Sequence, residues 1–271
     1  MMDYLSRESA PFTEELWQEI DDAVVESARR NLVGRRFLTV FGPLGAGAQS
    51  IHIDSEKKEE VFEDGVARTQ GRQYAEIPQV FDDFYLLWRD IEASGKADYP
   101  VDLSSAVAAA ESVARREDKL IFFGNKAMGL NGIITAPGVN KLKRGDWTTG
   151  ENAFTDIAKG ITLLDEKGFI GRYALVLSPD LYLDLQRIQP GTGMMEIDRV
   201  SKMVDGRIYR APVLGMKQAV LVCCEPQYMD LVVGQDMATA YLELVDLNHH
   251  MRVLETVLPR LKRQDAVVVF G

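Results

Sequence analysis

The sequence predicts an α+β protein, because segments with helical spacing of apolar residues alternate with short apolar runs typical of strands. Leu16, Ile20 and Val24 recur at four-residue spacing and mark the apolar face of a first helix. The alanine-rich segment 105–122 predicts a second, longer helix. Residues 219–224 form one of several apolar runs that predict strands in the C-terminal half.

Length, charge and cysteine content narrow the class of protein. The 271 residues are enough for one large domain or two smaller ones with a sizeable core. A net charge of -10 argues against the broad basic surface of a nucleic-acid-binding protein. The two cysteines, Cys223 and Cys224, are adjacent, which excludes an intramolecular disulfide framework. On a strand, His249 and His250 would point to opposite faces, so no local two-histidine metal site is expected.

The first helix has signals at both ends. Thr13 is a favourable N-cap, and Glu14 and Glu15 follow where the helix dipole stabilises negative charge. Gly34 is the predicted stop, and the apolar face in between is expected to pack against the core. Residues 37–41 then have a short strand pattern, closed by a glycine-proline turn.

Residues 50–80 differ in composition from a globular core. A few apolar side chains are spread among many charged ones. This pattern predicts a polar, extended hairpin that projects from the body of the protein. Because such a projection cannot bury itself, we expect it to be either mobile or packed on a neighbouring chain.

The middle of the chain alternates between helical and strand patterns. Residues 81–92 predict a compact helical apolar patch, and the glycine-rich segment 129–145 is the best candidate for a domain boundary. Beyond it, the sequence predicts a strand over 173–177 and helices over 154–167, 178–188 and 196–204. The glycine-proline segment 189–193 is predicted to be a loop.

No catalytic motif is found in the sequence. The glycine-rich segment 42–47 lacks both the Gly-Lys-Ser/Thr ending of a phosphate loop and the G-x-G-x-x-G spacing, which favours a plain turn. Cys223 lies in an apolar run, where a small buried side chain is expected. The N-terminus lacks a signal-peptide pattern and no apolar run is long enough to span a bilayer. The sequence therefore predicts a cytoplasmic protein that is not an enzyme and has no membrane partner.

Several motifs, in order along essentially the whole chain, resemble those of the family 1 encapsulin shell proteins, the linocin-like bacteriocin family. They are Ala10-Pro11-Phe12-Thr13, Trp17-Gln18-Glu19-Ile20-Asp21, Gly34-Arg35-Arg36-Phe37, Leu87-Trp88-Arg89-Asp90, Val101-Asp102-Leu103-Ser104-Ser105, Glu117-Asp118, Gly234-Gln235-Asp236 and Glu255-Thr256. The resemblance implies the fold of tailed-phage major capsid proteins, the Hong Kong 97 type. It also implies a subunit that assembles with copies of itself into an icosahedral nanocompartment around a cargo enzyme.

The resemblance divides the chain into the parts of that fold. They are the N-terminal helix with the start of a packing domain (1–47), an extended arm or E-loop (48–80), the packing domain with its long helix (81–132), an axial domain with a pore loop (133–225) and C-terminal strands of the packing domain (226–271). The arm is expected to lie across a neighbouring subunit.

Two sites follow from the resemblance. In encapsulin shells, a short C-terminal peptide of the cargo docks between the N-terminal helix and neighbouring strands. The corresponding residues here are Val25, Ala28, Leu32, Arg35, Phe37, Thr39, Asp236, Met237 and Ala238. A loop that lines a pore at the fivefold axis corresponds to Gln186, Arg187, Gln189, Pro190, Gly191, Thr192, Gly193 and Met194.

The resemblance also bears on cofactors and cargo. Some encapsulins hold a flavin on the tryptophan that corresponds to Trp88, but Val80 stands where their arginine partner is expected. A role for Trp88 in the core or at an interface is therefore favoured over flavin binding. No other cofactor is expected in the shell itself. The expected cargo is a ferritin-like protein that stores iron or protects against oxidative stress; a dye-decolourising peroxidase is the other common cargo.

Two alternatives to an encapsulin remain open. One is a phage or prophage major capsid protein, which would usually carry an N-terminal scaffolding segment before the first helix. The other is a bacteriocin or protease, as in older labels of the family. The missing export signal and catalytic residues argue against that second alternative.

Overall fold

A computed structural model describes residues 4–53, 58–97, 99–189, 191 and 193–271. The described residues form six α-helices: α1 (Glu14–Asn31), α2 (Trp88–Ala97), α3 (Ser104–Phe123), α4 (Asn152–Glu166), α5 (Pro179–Asp184) and α6 (Glu196–Met203). None of the helices in this part of the chain is long and apolar enough to cross a membrane.

Helix α1 confirms the predicted first helix. The Thr13 side chain accepts a hydrogen bond from the Leu16 N–H at 3.2 Å, as an N-cap does. Ile20 and Val24 are buried on the inner face. The helix ends at Asn31, and Gly34 instead begins a short 3₁₀ turn.

Helix α3 confirms the predicted long helix. It is buried along most of its length because it packs against α1 on one side and against two strands, Gln79–Leu86 and Asn248–Leu261, on the other. Alanines such as Ala106 and Ala110 are fully buried, and their small size lets neighbouring elements approach closely.

The described residues also form sixteen strands. They are β1 (Val40–Phe41), β2 (Ser50–His52), β3 (Lys58–Val61), β4 (Ala67–Gln70), β5 (Tyr74–Glu76), β6 (Gln79–Leu86), β7 (Gly124–Asn125), β8 (Leu130–Asn131), β9 (Asn140–Leu142), β10 (Tyr173–Leu177), β11 (Ile208–Arg210), β12 (Ala219–Cys223), β13 (Met229–Val233), β14 (Ala238–Val245), β15 (Asn248–Leu261) and β16 (Val267–Phe270). The first sheet has the order β1-β13-β15-β14, and β6 also pairs with the long strand β15.

The second sheet has the order β11-β10-β12-β16-β9 and lies within the predicted axial domain, apart from its last strand in sequence, β16. Strand β16 is inserted between β12 and β9. Strand β16 falls within residues 226–271, the range predicted for the packing domain, but it pairs with strands of the second sheet and not of the first. Its run of four apolar residues suits a central strand covered on both faces, which this position provides.

The helix predicted over residues 81–92 is wrong in its first half. Residues up to Leu86 form strand β6, and α2 begins only at Trp88. Val80, Phe84 and Leu86 are buried at even positions, which is the two-residue period of a strand. Apolar residues on the other face of β6 obscure that alternation in the sequence. Antiparallel pairing with β15 holds these residues in a strand.

The arm consists of two small hairpins, which confirms the predicted extended hairpin. Strand β2 pairs with β5 at its base, and β3 pairs with β4 further out. Val61, Val66 and Tyr74 are 69%, 60% and 67% exposed, so the arm leaves large apolar side chains uncovered by its own chain.

Candidate functional site

The C-terminal half of α1 forms an apolar cluster with two other segments. Ala28 and Leu32 are buried against Ala114 of α3, and Met237, just before β14, packs on the same cluster. Ala28 and Leu32 share one face of the helix because they are four residues apart. Val25, one turn earlier on that helix, is 36% exposed. The structure thus brings together Ala28, Leu32 and Met237, three of the nine residues predicted for the peptide groove. A fourth, Val25, lies one turn earlier on the same helix.

Arg35 joins three elements at the end of this cluster. Its Nη2 donates to Glu117 Oε2 and to Glu255 Oε2, both at 2.7 Å, and its Nε also donates to Glu117. Its Nη1 donates to Asp236 Oδ1 at 2.6 Å. Glu117 and Glu255 are completely buried, whereas Asp236 is exposed. Arg35 therefore connects α3 and β15 inside the protein to the surface loop before β14.

The charges of this cluster shift the pKa values of its members. Burial opposes the charge on Arg35, but the hydrogen bond and the charge of Glu117, together with Glu255, raise its pKa. Burial, followed by repulsion from Glu117, raises the pKa of Glu255 well above its ordinary value. Burial opposes ionisation of Asp236 too, yet the hydrogen bond from Arg35 holds its pKa below the ordinary value. Arg35 and Asp236 thus form a charged pair at the rim of the apolar cluster.

Asp118 fixes the backbone turn that carries Arg35. Its carboxylate accepts hydrogen bonds from the Val33 N–H at 3.0 Å and from the Gly34 N–H at 2.8 Å. Burial raises the pKa of Asp118 to about 7, although these backbone bonds favour the charged form. A Cβ at Gly34 would lie 2.3 Å from Cδ1 of the buried Ile121, so any other residue at this position would force that side chain to shift.

Three predicted groove residues lie outside the apolar cluster. Phe37 is buried in the main core, with its ring centroid 6.1 Å from that of Phe122. Thr39 Oγ1 accepts a hydrogen bond from Arg172 Nη2 at 3.1 Å. Ala238 is half-buried and begins β14.

Sequence reasoning did not assign a role to Ala114, Glu117, Asp118 or Glu255 at this site. The spacing that would reveal them is not local, because Arg35 and Glu117 are 82 residues apart and Arg35 and Glu255 are 220 apart. The only available signal was the presence of Glu117-Asp118 and Glu255-Thr256 among the motifs of the resemblance.

The predicted pore loop is the turn between α5 and α6. Ile188 and Met195 form an antiparallel bridge, and the Gln189 N–H donates to the Met194 carbonyl at 2.9 Å. Gly191 and Gly193 have φ of +81° and +68°, which favours glycine at both positions. Pro190 and Thr192 lie outside the described residues.

Arg187 anchors the base of that loop. Its Nη2 donates to Glu196 Oε2 at 2.8 Å and to the Gly150 carbonyl at 2.7 Å, and its Nη1 donates to the Thr148 carbonyl at 2.6 Å. Glu196 is completely buried. Gln186, which precedes Arg187, donates its N–H to the Leu183 carbonyl and so continues the last turn of α5. The loop therefore projects from a fixed, charge-paired base.

Comparison with known proteins identifies the family. Residues 2–258 match the family model described as encapsulating protein for peroxidase. The type 1 encapsulin shell protein EncA of Myxococcus xanthus is 39% identical over 98% of this chain and 96% of its own length. The chain belongs to the encapsulin shell protein family. A diheme-cytochrome-encapsulin shell fusion protein of Kuenenia stuttgartiensis is 38% identical over 93% of this chain and 71% of its own length.

Solved structures of lower identity share the fold of this encapsulin. The virus-like particle from Pyrococcus furiosus has a TM-score of 0.76 at 22% identity, covering 95% of this chain and 100% of that chain. The capsid of Myoviridae phage XM1 has a TM-score of 0.58 at 14% identity, covering 87% of this chain and 90% of that chain. The predicted α+β fold of the Hong Kong 97 capsid type is thus confirmed.

As an encapsulin, the chain is a structural subunit of a multimeric shell, and its relatives are named as shell proteins rather than enzymes. The described part of the chain contains no group of three or more His, Cys, Asp or Glu side chains placed to hold a metal ion. Burial raises the pKa of Cys223 to about 11, so its thiol stays protonated and unreactive at neutral pH.

Proposed function

We propose that this encapsulin forms an icosahedral shell in the cytoplasm and retains a cargo protein through a C-terminal peptide bound beside α1. The apolar cluster of Ala28, Leu32 and Met237, open at Val25, supports this proposal. The Arg35–Asp236 ion pair next to it offers charge at a fixed position. An apolar strip with adjacent charge is suited to a short amphipathic peptide, since pockets give affinity and polar groups give orientation.

The experiment is to place a charge on the open part of this groove. Particles of wild type and Val25→Glu are purified from the native host, and the co-purified protein is identified and quantified by mass spectrometry. A carboxylate at position 25 would have to lose water to meet an apolar peptide, so we expect shells of normal size with little cargo.

Gln18→Glu is the matched control, because it adds the same charge on the same helix about two turns away. We expect it to retain normal cargo. Full cargo loading in Val25→Glu shells of normal size would contradict the proposal.

We further propose that the arm is covered by a neighbouring subunit in the shell. Its exposed Val61, Val66 and Tyr74 support this, because hydrophobic side chains so exposed on one chain are expected at interfaces between copies. The loop at residues 186–194, with Ile188 66% exposed, is proposed to meet its copies around a fivefold pore. A three-dimensional reconstruction from electron micrographs of purified particles tests the placement of both the arm and the loop.

We propose that the cargo is a ferritin-like protein and that iron is held by the cargo. A relative from Pyrococcus furiosus, named a ferritin-like-encapsulin shell fusion protein, supports this choice. The Kuenenia stuttgartiensis fusion with a diheme cytochrome makes a redox protein the second candidate. Iron content and haem absorption of native particles distinguish the two.

We propose that the shell subunit itself binds neither flavin nor nucleic acid. Trp88 has one face near the Arg89 guanidinium, 5.5 Å from the ring centroid, and Val80 is a buried member of β6 without a polar group to offer a flavin. The net charge of -10 disfavours a packaged genome. Flavin absorption, or a 260/280 nm absorbance ratio typical of nucleic acid, in purified particles would contradict this proposal.

A further inference from the structure

A cavity of about 440 Å³ lies between the end of α1 and the second sheet. Three arginines, Arg30, Arg36 and Arg210, contribute to its lining, and no carboxylate side chain of the described residues does. Tyr182 and Tyr209 line the same cavity. Because the chain as a whole is acidic, three guanidinium groups around one cavity form a local concentration of positive charge.

Two of these guanidinium groups are not neutralised by carboxylates. Among the described residues, no carboxylate lies within ion-pair distance of Arg36 or Arg210. Arg36 Nη2 donates to the Arg30 carbonyl at 2.8 Å, which holds this side chain at the end of α1. The Arg210 guanidinium lies 6.0 Å from the ring centroid of Tyr182, whereas Arg30 pairs with Glu26.

The nearby negative groups offset the charge of Arg36 only in part, since none of them forms an ion pair with it among the described residues. The C-terminal carbonyls of α1 are partly negative, but the hydrogen bond from Arg36 offsets them. The Asp118 carboxyl is buried and bound to the backbone N–H groups of Val33 and Gly34, and it is close enough for the charge of Arg36 to act on it without an ion pair. The cavity is therefore left with guanidinium donors beside aromatic rings.

We propose that this cavity binds a phosphate group, as inorganic phosphate or as part of a small nucleotide. The planar guanidinium fork matches the geometry of phosphate oxygens, and arginines from two different elements can bind the same anion. The cavity is larger than a phosphate ion, and Tyr182 and Tyr209 provide rings on which a base can stack. This ligand site is separate from the proposed peptide groove and does not depend on it.

The test measures binding of radiolabelled inorganic phosphate to assembled shells by equilibrium dialysis. We expect saturable binding to wild type, and a loss of affinity of about tenfold in Arg36→Gln and in Arg210→Gln, because each removes charge-assisted hydrogen bonds. Arg115→Gln is the matched control: Arg115 is exposed on α3, outside the cavity, and its removal should leave binding unchanged. Arg210 is exposed in β11, so its variant reports on binding even where Arg36→Gln disturbs the end of α1.

Adenosine monophosphate and adenosine are then used as competitors. Competition by the nucleotide that is stronger than by unlabelled phosphate identifies a nucleotide site, and equal competition identifies a phosphate site. Displacement by adenosine alone, unsaturable binding to wild type, or equal affinities of Arg210→Gln and Arg115→Gln would each overturn the proposal.

Discussion

The end of α1 and the arm both carry many charged side chains, but they are stabilised in opposite ways. Arg35 contacts three carboxylates, and two of them, Glu117 and Glu255, are completely buried. In the arm, Arg68 pairs with Glu60, and these side chains are 66% and 36% exposed. The first region is complete within one chain, whereas the arm leaves large apolar side chains exposed, and we propose that a neighbouring subunit covers them.

The physical difference is the cost of leaving a charge unpaired. A buried carboxylate that loses its partner has no water to replace it, so removal of one member of a buried cluster is strongly destabilising. An exposed ion pair is already solvated and contributes little. The two regions are therefore expected to differ most in how they respond to loss of an arginine.

The largest expected effect is that of Arg35→Ala. This variant leaves Glu117 and Glu255 buried without their cation, so we expect the free energy of unfolding to fall by about 3–5 kcal/mol. Arg68→Ala is the matched control in the arm and should cost less than about 1 kcal/mol. Urea unfolding of disassembled subunits, followed by tryptophan fluorescence, measures both. Similar losses in the two variants would show that the regions do not differ as described.

A somewhat smaller effect is expected from pH at Asp118. Its pKa is raised from 3.8 to about 7 because it is buried, so the folded chain holds a proton that the unfolded chain has already lost. The contribution to stability is fully present below about pH 4 and is lost as pH rises toward 7. Each unit of pKa difference between the folded and unfolded chain corresponds to about 1.4 kcal/mol, so the free energy of unfolding falls by at most about 4 kcal/mol over this range.

The variant Asp118→Asn isolates this contribution, because its amide does not titrate. We expect the difference in unfolding free energy between wild type and variant to change between pH 4 and 7 and to be constant above that range. A difference that is constant across the whole range would contradict the raised pKa.

A third contrast concerns glycines. In Gly34→Ala the new Cβ would meet the buried Ile121, so we expect a loss of about 1–3 kcal/mol in unfolding free energy. At Gly47, just before the arm, an added Cβ would have nothing within 4 Å and the φ is one that other residues adopt, so Gly47→Ala should change stability by less than about 0.5 kcal/mol. Thermal unfolding of both shells tests this, and equal melting temperatures would be evidence against close packing at Gly34.

Local patterns predicted α1, α3 and the arm because each depends on composition and spacing within one segment. They failed at β6, where apolar residues on both faces hide the strand period. The position of β16 between β12 and β9 could not be predicted from them, because these partners are far away in sequence. The groove was only partly predictable for the same reason. Arg35 could be named from the resemblance, but its buried partners on α3 and β15 are brought to it by tertiary packing.

The smallest effect on folding is expected in the arm, from Val66→Asp. Val66 is 60% exposed in the single chain, so a charge there should change the unfolding free energy of the subunit by less than about 0.5 kcal/mol. If a neighbour covers this side chain, the same charge would be buried without a partner in the shell, and we expect folded subunits that fail to assemble. Gln70→Glu adds the same charge on β4 without removing apolar surface and should assemble normally. Size-exclusion chromatography and electron microscopy distinguish assembled shells from free subunits. Normal shells from Val66→Asp would show that the arm is not covered in this way.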